Sequence, residues 1–415
     1  MNRTLYTVAL YILVSTNILV STALAKSIKP DIIVAHDGSG DFNSLQAAID
    51  SIPKGNTERK VIFIKNGTYN EHIRIENSFL TLLGQDRKKT RIVWEINDER
   101  LAPQQHKDGK GIASLNLKDS NDIIIENLTI DNPANLGKKP FTVSSTGSGT
   151  RIIIQNAEII GLGGDTLSLW SRGMYYHRNI HVTGTYHFVG PRGTCYMSDS
   201  VIEELSNVRN ALFNEGMDDQ REKFVLRNCT IISKEHFGLG SFFRDTAWYF
   251  IDCKFPDTLD PNGSIFIKQH EGYTFKWPTD RIYFARCKGP DYPWLKDNIA
   301  KSEAKTAAAV TAVWTFWNQW DPENTAAPYI KDISHAGEIV NIKFSESVTV
   351  KGNPILKLAD GKSAAYLSGS GTDTLAFKAP TSSAPKTLDS NNGLILASIA
   401  SAQPRCITDQ LKLNK

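Results

Sequence analysis

The 415-residue sequence is short of cysteine, of net charge and of long apolar runs, and each shortage removes a class of protein. Its five cysteines (Cys195, Cys229, Cys253, Cys287 and Cys406) are odd in number and contain no CxxC pair. Neither a zinc site nor a complete disulfide framework is implied, and stacked core thiols are the expected use. The formal charge is +3, from 47 Lys and Arg against 44 Asp and Glu. That balance gives no support to nucleic-acid binding or a polybasic membrane contact, yet it leaves an anionic polysaccharide unrepelled. Beyond the N-terminus no segment approaches the ~20 apolar residues of a membrane helix.

The N-terminus does carry an apolar run, over residues 5–20, with Arg3 before it. Thr7, Ser15, Thr16 and Asn17 interrupt it, and Ala23-Leu24-Ala25 forms a small-x-small site ahead of Lys26. This is the composition of a cleaved secretory leader rather than of an anchor. Residues 1–25 are expected to be removed, leaving an exported chain without a membrane span. The length calls for two domains. After Asp321-Pro322-Glu323 the texture changes to short alternating runs at 339–344, 348–350, 355–358 and 374–377, separated by Gly, Asn and Ser. This pattern predicts a small Ig-like β-sandwich over 324–415, following a larger domain over 26–323.

The larger domain repeats a short apolar strand that ends in a polar residue. Copies end at Asn127, Asn156, Asn179, Asn228, Asp252 and Arg286, at spacings of 29, 23, 49, 24 and 34 residues. The spacing of 49 hides one more coil, through Cys195-Tyr196-Met197-Ser198-Asp199. Strands this short bury an apolar face only by stacking on the next copy, so the repeat predicts an all-β solenoid, a parallel β-helix. Asn and Asp at the strand ends are expected to form stacked ladders or turns. Helical spacing occurs in two places. Leu45, Ala48, Ile49 and Ile52 predict a helix capping the N-terminal end of the solenoid. Ala309, Val313 and Phe316 predict a second helix over 301–320, packing Trp314, Trp317 and Trp320 on the barrel.

Three stretches carry a resemblance: Asp37-Gly38-Ser39-Gly40-Asp41-Phe42, Ile64-Lys65-Asn66-Gly67-Thr68-Tyr69 and Trp320-Asp321-Pro322. With Gly184-Thr185-Tyr186-His187-Phe188-Val189-Gly190 they resemble the pectin methylesterases. The resemblance implies a right-handed parallel β-helix, agreeing with the repeat. It also implies metal-free and cofactor-free hydrolysis of galacturonate methyl esters. In that family one aspartate attacks the ester, a second is acid and base, an arginine orients the nucleophile and glutamines stabilise the oxyanion. Asp165, in Gly164-Asp165-Thr166-Leu167, matches the acid/base aspartate. The nucleophile position is His187, the arginine position Ser241 and the following tryptophan Phe243. Glutamine positions fall at Gly164 and near Pro140.

Asp165 and His187 stand 22 residues apart, about one coil, and are expected to be neighbours on one face. An aspartate beside an imidazole fixes its tautomer and raises its basicity. The pair could activate water, could deprotonate Ser241 in an Asp–His–Ser order, or could be a structural hydrogen bond alone. Ser241 lies 54 residues past His187 and is far shorter than an arginine, which counts against the triad. Arg192 and Arg244 are candidates to replace the lost cation and meet a uronate carboxylate. Glu215, followed by Asp218 and Asp219, stands near a family glutamine, and Phe243 and Trp248 are candidates to stack on sugar rings.

The function expected is that of a pectinesterase-like carbohydrate esterase, a monomer acting outside the cell on ester groups of pectin, homogalacturonan or a related polysaccharide. Two alternatives remain open: a catalytically inactive β-helix that binds pectic polysaccharide, and a polysaccharide lyase. A lyase requires calcium-binding carboxylates with a Lys or Arg base, and no clear cluster of that kind is present.

Overall fold

The computed structural model describes residues 30–96, 107–134, 141–206, 211–216, 219–263, 265–267, 272–323, 330–350, 354–380, 385–389, 394–397, 404–407 and 411–412. The leader, Pro140 and Asp218 lie outside these residues, as does the side chain of Cys406. The coils build three parallel sheets of ten, eight and seven strands. Parallel crossovers of this kind are right-handed.

In the ten-stranded first sheet, Ile125, Ile154, His177, Met197, Leu226, Phe250 and Phe284 share one register column and face inward. The neighbouring column of Ile124, Ile153, Tyr176, Tyr196, Val225 and Tyr249 faces outward and is also buried. This double burial explains why these strands read as continuous apolar runs. The hidden coil is present, as strand Thr194–Ser198.

Each repeat ends on a residue with left-handed backbone, among them Asn127 (φ 59°), Asn156 (49°), Asn179 (51°), Asp199 (51°) and Asn228 (52°). Asn and Asp tolerate this conformation better than other non-glycine residues. Their side chains then bond along the stack. The Asn156 amide donates to Asn127 Oδ1 at 2.8 Å, Asn179 to Asn156 at 3.0 Å and Asn228 to Asp199 at 2.7 Å. The expected ladder is therefore real. Directly behind it, Cys229, Cys253 and Cys287 are free thiols, and Cys195 is free and buried as well.

The capping helix runs over Leu45–Asp50, with Leu45, Ala48 and Ile49 buried and Ser44 at its N-cap. Glu71 reaches back to its first turn, accepting from Leu45 N at 2.8 Å and Gln46 N at 2.9 Å. The second expected helix shrinks to one α-helical turn, Ala312–Thr315. Residues 299–320 form a strap of short turns: Ile299–Lys301, Ala307–Ala309 and Ala312–Thr315. Thr306 and Thr311 each cap a new turn with their hydroxyls, and Trp317 and Asn318 adopt left-handed backbone, so no helix propagates. The covering role survives. Trp314 meets Tyr249 edge-on, Phe316 and Trp320 are buried, and Trp317 Nε1 donates to Arg221 O at 3.0 Å.

Beyond the strap, strands from Ile330–Ala336 to Leu411–Lys412 pair antiparallel around their own core of Val340, Ile342, Phe344, Leu356, Leu375 and Phe377. The long strand Ile339–Val350 pairs with Thr372–Lys378 over its first half and with Leu394–Ala397 at its end. Such a strand, shared between two sets of partners, belongs to a sandwich-type module. Among the described residues no helix is long and apolar enough to cross a membrane.

Candidate active site

Four consecutive strands of the eight-stranded second sheet carry the candidate residues: Leu167–Leu169, Val189–Pro191, Leu212–Asn214 and Gly240–Phe242. Leu167 pairs with Val189, so Asp165 and His187 hold equivalent places in successive coils, two residues before their strands. Asp165 N–H donates to Tyr186 O at 2.9 Å. Both residues take left-handed backbone, Asp165 at φ 61° and His187 at 52°. That conformation is uncommon for histidine and costs on the order of 1 kcal/mol, so the loop is shaped against local preference at this spot.

The His187 ring is buried between two aromatic rings. Tyr186 stacks on it at 3.8 Å between centroids and Phe213 at 4.1 Å. Phe213 belongs to the next coil and Ser241, which pairs with it, to the coil after that. The imidazole spans this distance, and His187 Nε2 lies 3.2 Å from Ser241 Oγ. The 54-residue separation is therefore no obstacle to contact. Burial sets the limit: His187 keeps 7% of its surface exposed and Ser241 none. A wholly enclosed hydroxyl can orient the imidazole but cannot meet a polymeric ester.

The far ends of the same strands form a charged rim. Arg192 pairs with Glu215, and its guanidinium lies over the Trp170 ring at 4.4 Å. Burial pushes the Arg192 pKa down, while the negative charges of Glu215 and Asp165 oppose that shift. Phe243 is half-buried and meets Phe213 edge-on at 4.9 Å. Arg244 lies over Tyr273 at 5.7 Å. Buried Asp245 accepts from Lys276 N at 3.1 Å and Trp277 N at 3.2 Å, pinning the segment that carries Tyr273. Asp219 is held by Arg221, whose Nη2 donates to it at 2.7 Å.

One expected sugar contact is wrong. Trp248 is fully buried, packed on Phe224, Phe242 and Phe250 inside the barrel, so it belongs to the core and cannot stack on a ligand. Its strand lies in the first sheet, away from these four.

A sequence profile described as Pectinesterase matches residues 31–243, more than half of the chain and the whole of the stretch from Asp165 to Ser241. The chain belongs to the pectinesterase family. It is 30% identical over 210 residues to a pectinesterase of Petunia integrifolia, covering 49% of this chain and 54% of that protein. It is 29% identical over 211 residues to pectinesterase 31 of Arabidopsis thaliana, covering 49% and 66%. The match to these relatives thus spans about half to two thirds of their length. Solved structures share the fold at lower identity. Pectin methylesterase from carrot superposes with a TM-score of 0.52 at 18% identity, covering 63% of this chain and 83% of that one. PemA from Erwinia chrysanthemi gives 0.52 at 18%, covering 68% and 98%.

Within this family fold, three aromatic residues of the site escaped the sequence reading: Tyr186, Phe213 and Trp170. Phe213 had a signal, since alternation in Ala211-Leu212-Phe213-Asn214 points Leu212 inward and Phe213 outward. Its importance depends on which ring it touches. Among the described residues no group of three or more His, Cys, Asp or Glu is arranged to hold a metal ion.

Proposed function

We propose that this protein is a carbohydrate esterase that hydrolyses ester groups on pectin outside the cell, using His187 where its family places a carboxylate. The observation that carries this reading is the His187–Ser241 contact, 3.2 Å from Nε2 to Oγ, with Asp165 at the equivalent place one coil away. Hydrolysis needs a base to take a proton from water as its oxygen adds to the ester carbonyl. It then needs an acid to protonate the departing alkoxide, giving free acid and alcohol. His187 is the base and Asp165 the residue placed to handle the second proton. Ser241 holds the ring from behind, and Tyr186 and Phe213 fix its plane. Arg192, held by Glu215 and Trp170, and Arg244 offer cations to the uronate chain, beside the aromatic surface of Phe243.

The proposal extends to the whole chain: a leader over 1–25, a β-helix domain over 26–323, a β-sandwich over 324–415, and a monomer in solution. One experiment tests the core of it. Protein recovered from the cell exterior, with an intact mass starting near Lys26, should release methanol or acetate from methyl- and acetyl-esterified pectins. Binding of pectin without either product would replace this reading with a polysaccharide-binding one.

A further inference from the structure

A cavity of about 410 Å³ lies on a different face of the coil, against the outside of the first sheet. That volume falls within the range of small-molecule sites, ~300–1,000 Å³. Its floor is a row set by strand register, in which Arg178 pairs with Ser198 and Ser198 with Arg227. Neighbouring strands are ~4.8 Å apart, so two guanidinium side chains flank one hydroxyl. The Ser198 side chain is buried, and its Oγ has no hydrogen-bond partner among the described residues. A buried hydroxyl without a partner is costly.

The cations are held in place beforehand. Arg227 Nη1 donates to Ala307 O and Val310 O of the strap, both at 2.9 Å. Arg178 Nε donates to Asp199 Oδ2 at 3.2 Å. Acceptors complete the lining: Asp199 itself, and Glu323, whose Oε1 accepts from Tyr176 at 2.9 Å. Burial raises the Glu323 pKa, with the Tyr176 hydrogen bond and the Arg178 charge opposing.

This lining narrows the ligand by chemistry. A metal cation meets two guanidinium groups, and a compact oxyanion meets two carboxyl groups. A molecule that carries one carboxylate and several hydroxyls satisfies both walls. We propose that this cavity binds an acidic sugar, with its carboxylate on Arg178 and Arg227 across Ser198 and its hydroxyls on Asp199 and Glu323. The choice of galacturonate as that sugar rests on the proposed function. The site gives the protein a second grip on an acidic polysaccharide, separate from the site of Asp165 and His187.

The test is titration of the isotopically labelled full-length chain with trigalacturonate, galactose and inorganic phosphate, following backbone amide shifts. Trigalacturonate should move the amides of Ser198, Asp199 and Asn228, and galactose and phosphate should bind there at least tenfold more weakly. Arg178→Gln alters a side chain that is 55% exposed, so the fold should persist. It should weaken trigalacturonate at these amides about tenfold, the loss of one charge-assisted contact. Shifts at Asp165, His187, Phe213 and Ser241 with none at Ser198, Asp199 and Asn228, equal binding of phosphate, or unchanged affinity in Arg178→Gln each overturn the site. Release of methanol or acetate does not enter this measurement. A chain that binds here but hydrolyses nothing therefore refutes the esterase and leaves this site standing.

Discussion

His187→Ala should lower the rate of pectin-ester hydrolysis by about 10²–10⁴-fold, the contribution of a positioned general base. The expectation is large because the structure commits so much to this ring. It sits on left-handed backbone, lies between Tyr186 and Phe213, and is met by Ser241 at 3.2 Å. Ser241→Ala keeps the base and loses only its anchor, so about a tenfold fall is expected, of the order of one hydrogen bond. His187→Asp should not produce aspartate-based hydrolysis of the family type, because Ser241 supplies no cation to orient the new carboxylate. Thermal melts separate these effects from misfolding, since alanine leaves a gap between two rings. A His187→Ala protein as active as its parent would remove histidine from the mechanism altogether.

Replacing His177 with leucine should stabilise the protein, and the gain should grow as the solution is acidified. His177 stands in the inward column between Ile154 and Met197, and it is 1% exposed. Neither ring nitrogen makes a well-formed hydrogen bond among the described residues. Burial pushes its pKa down to about 3, with the Tyr176 backbone opposing only slightly. The folded chain therefore keeps a neutral ring, while an unfolded chain takes up a proton below ~6.5. The unfolded state binds more protons between those two values, so stability falls as pH drops through that window. The loss is about 2 kcal/mol at pH 5 and on the order of 4 kcal/mol near pH 3, at 1.36 kcal/mol per unit. Leucine has a similar volume and no proton to gain. Urea unfolding of parent and His177→Leu at pH 7 and pH 5 checks this. Equal differences at both pH values would show that this histidine does not titrate on unfolding.

Much of the solenoid is legible because its cause is local and repeated. Each Asn or Asp of the ladder occurs where the chain must turn through left-handed backbone, and those residue types make such turns at low cost. The hidden coil at Asp199 could be placed because the same apolar strand precedes it. The strap shows where this reasoning stops. Ala309, Val313 and Phe316 have helical spacing, yet threonine capping and contact with the outer face of the first sheet break the segment into turns. Trp248 shows the same limit, since a tryptophan in a short strand reads alike whether it points inward or outward.

What the sequence determined by itself is the family, the stacked strands and the identity of the turn residues. These depend on short-range patterns and on residue type, which one-dimensional reading can see. Tertiary structure decided that His187 and Ser241 touch, that Phe213 and Tyr186 enclose the ring, and that Ser241 is closed to solvent. It also decided that Arg178, Ser198 and Arg227 form one row. Each of these is a meeting between different coils. Such meetings are set by strand register and side-chain reach across ~4.8 Å steps, and irregular coil lengths hide them from spacing along the chain.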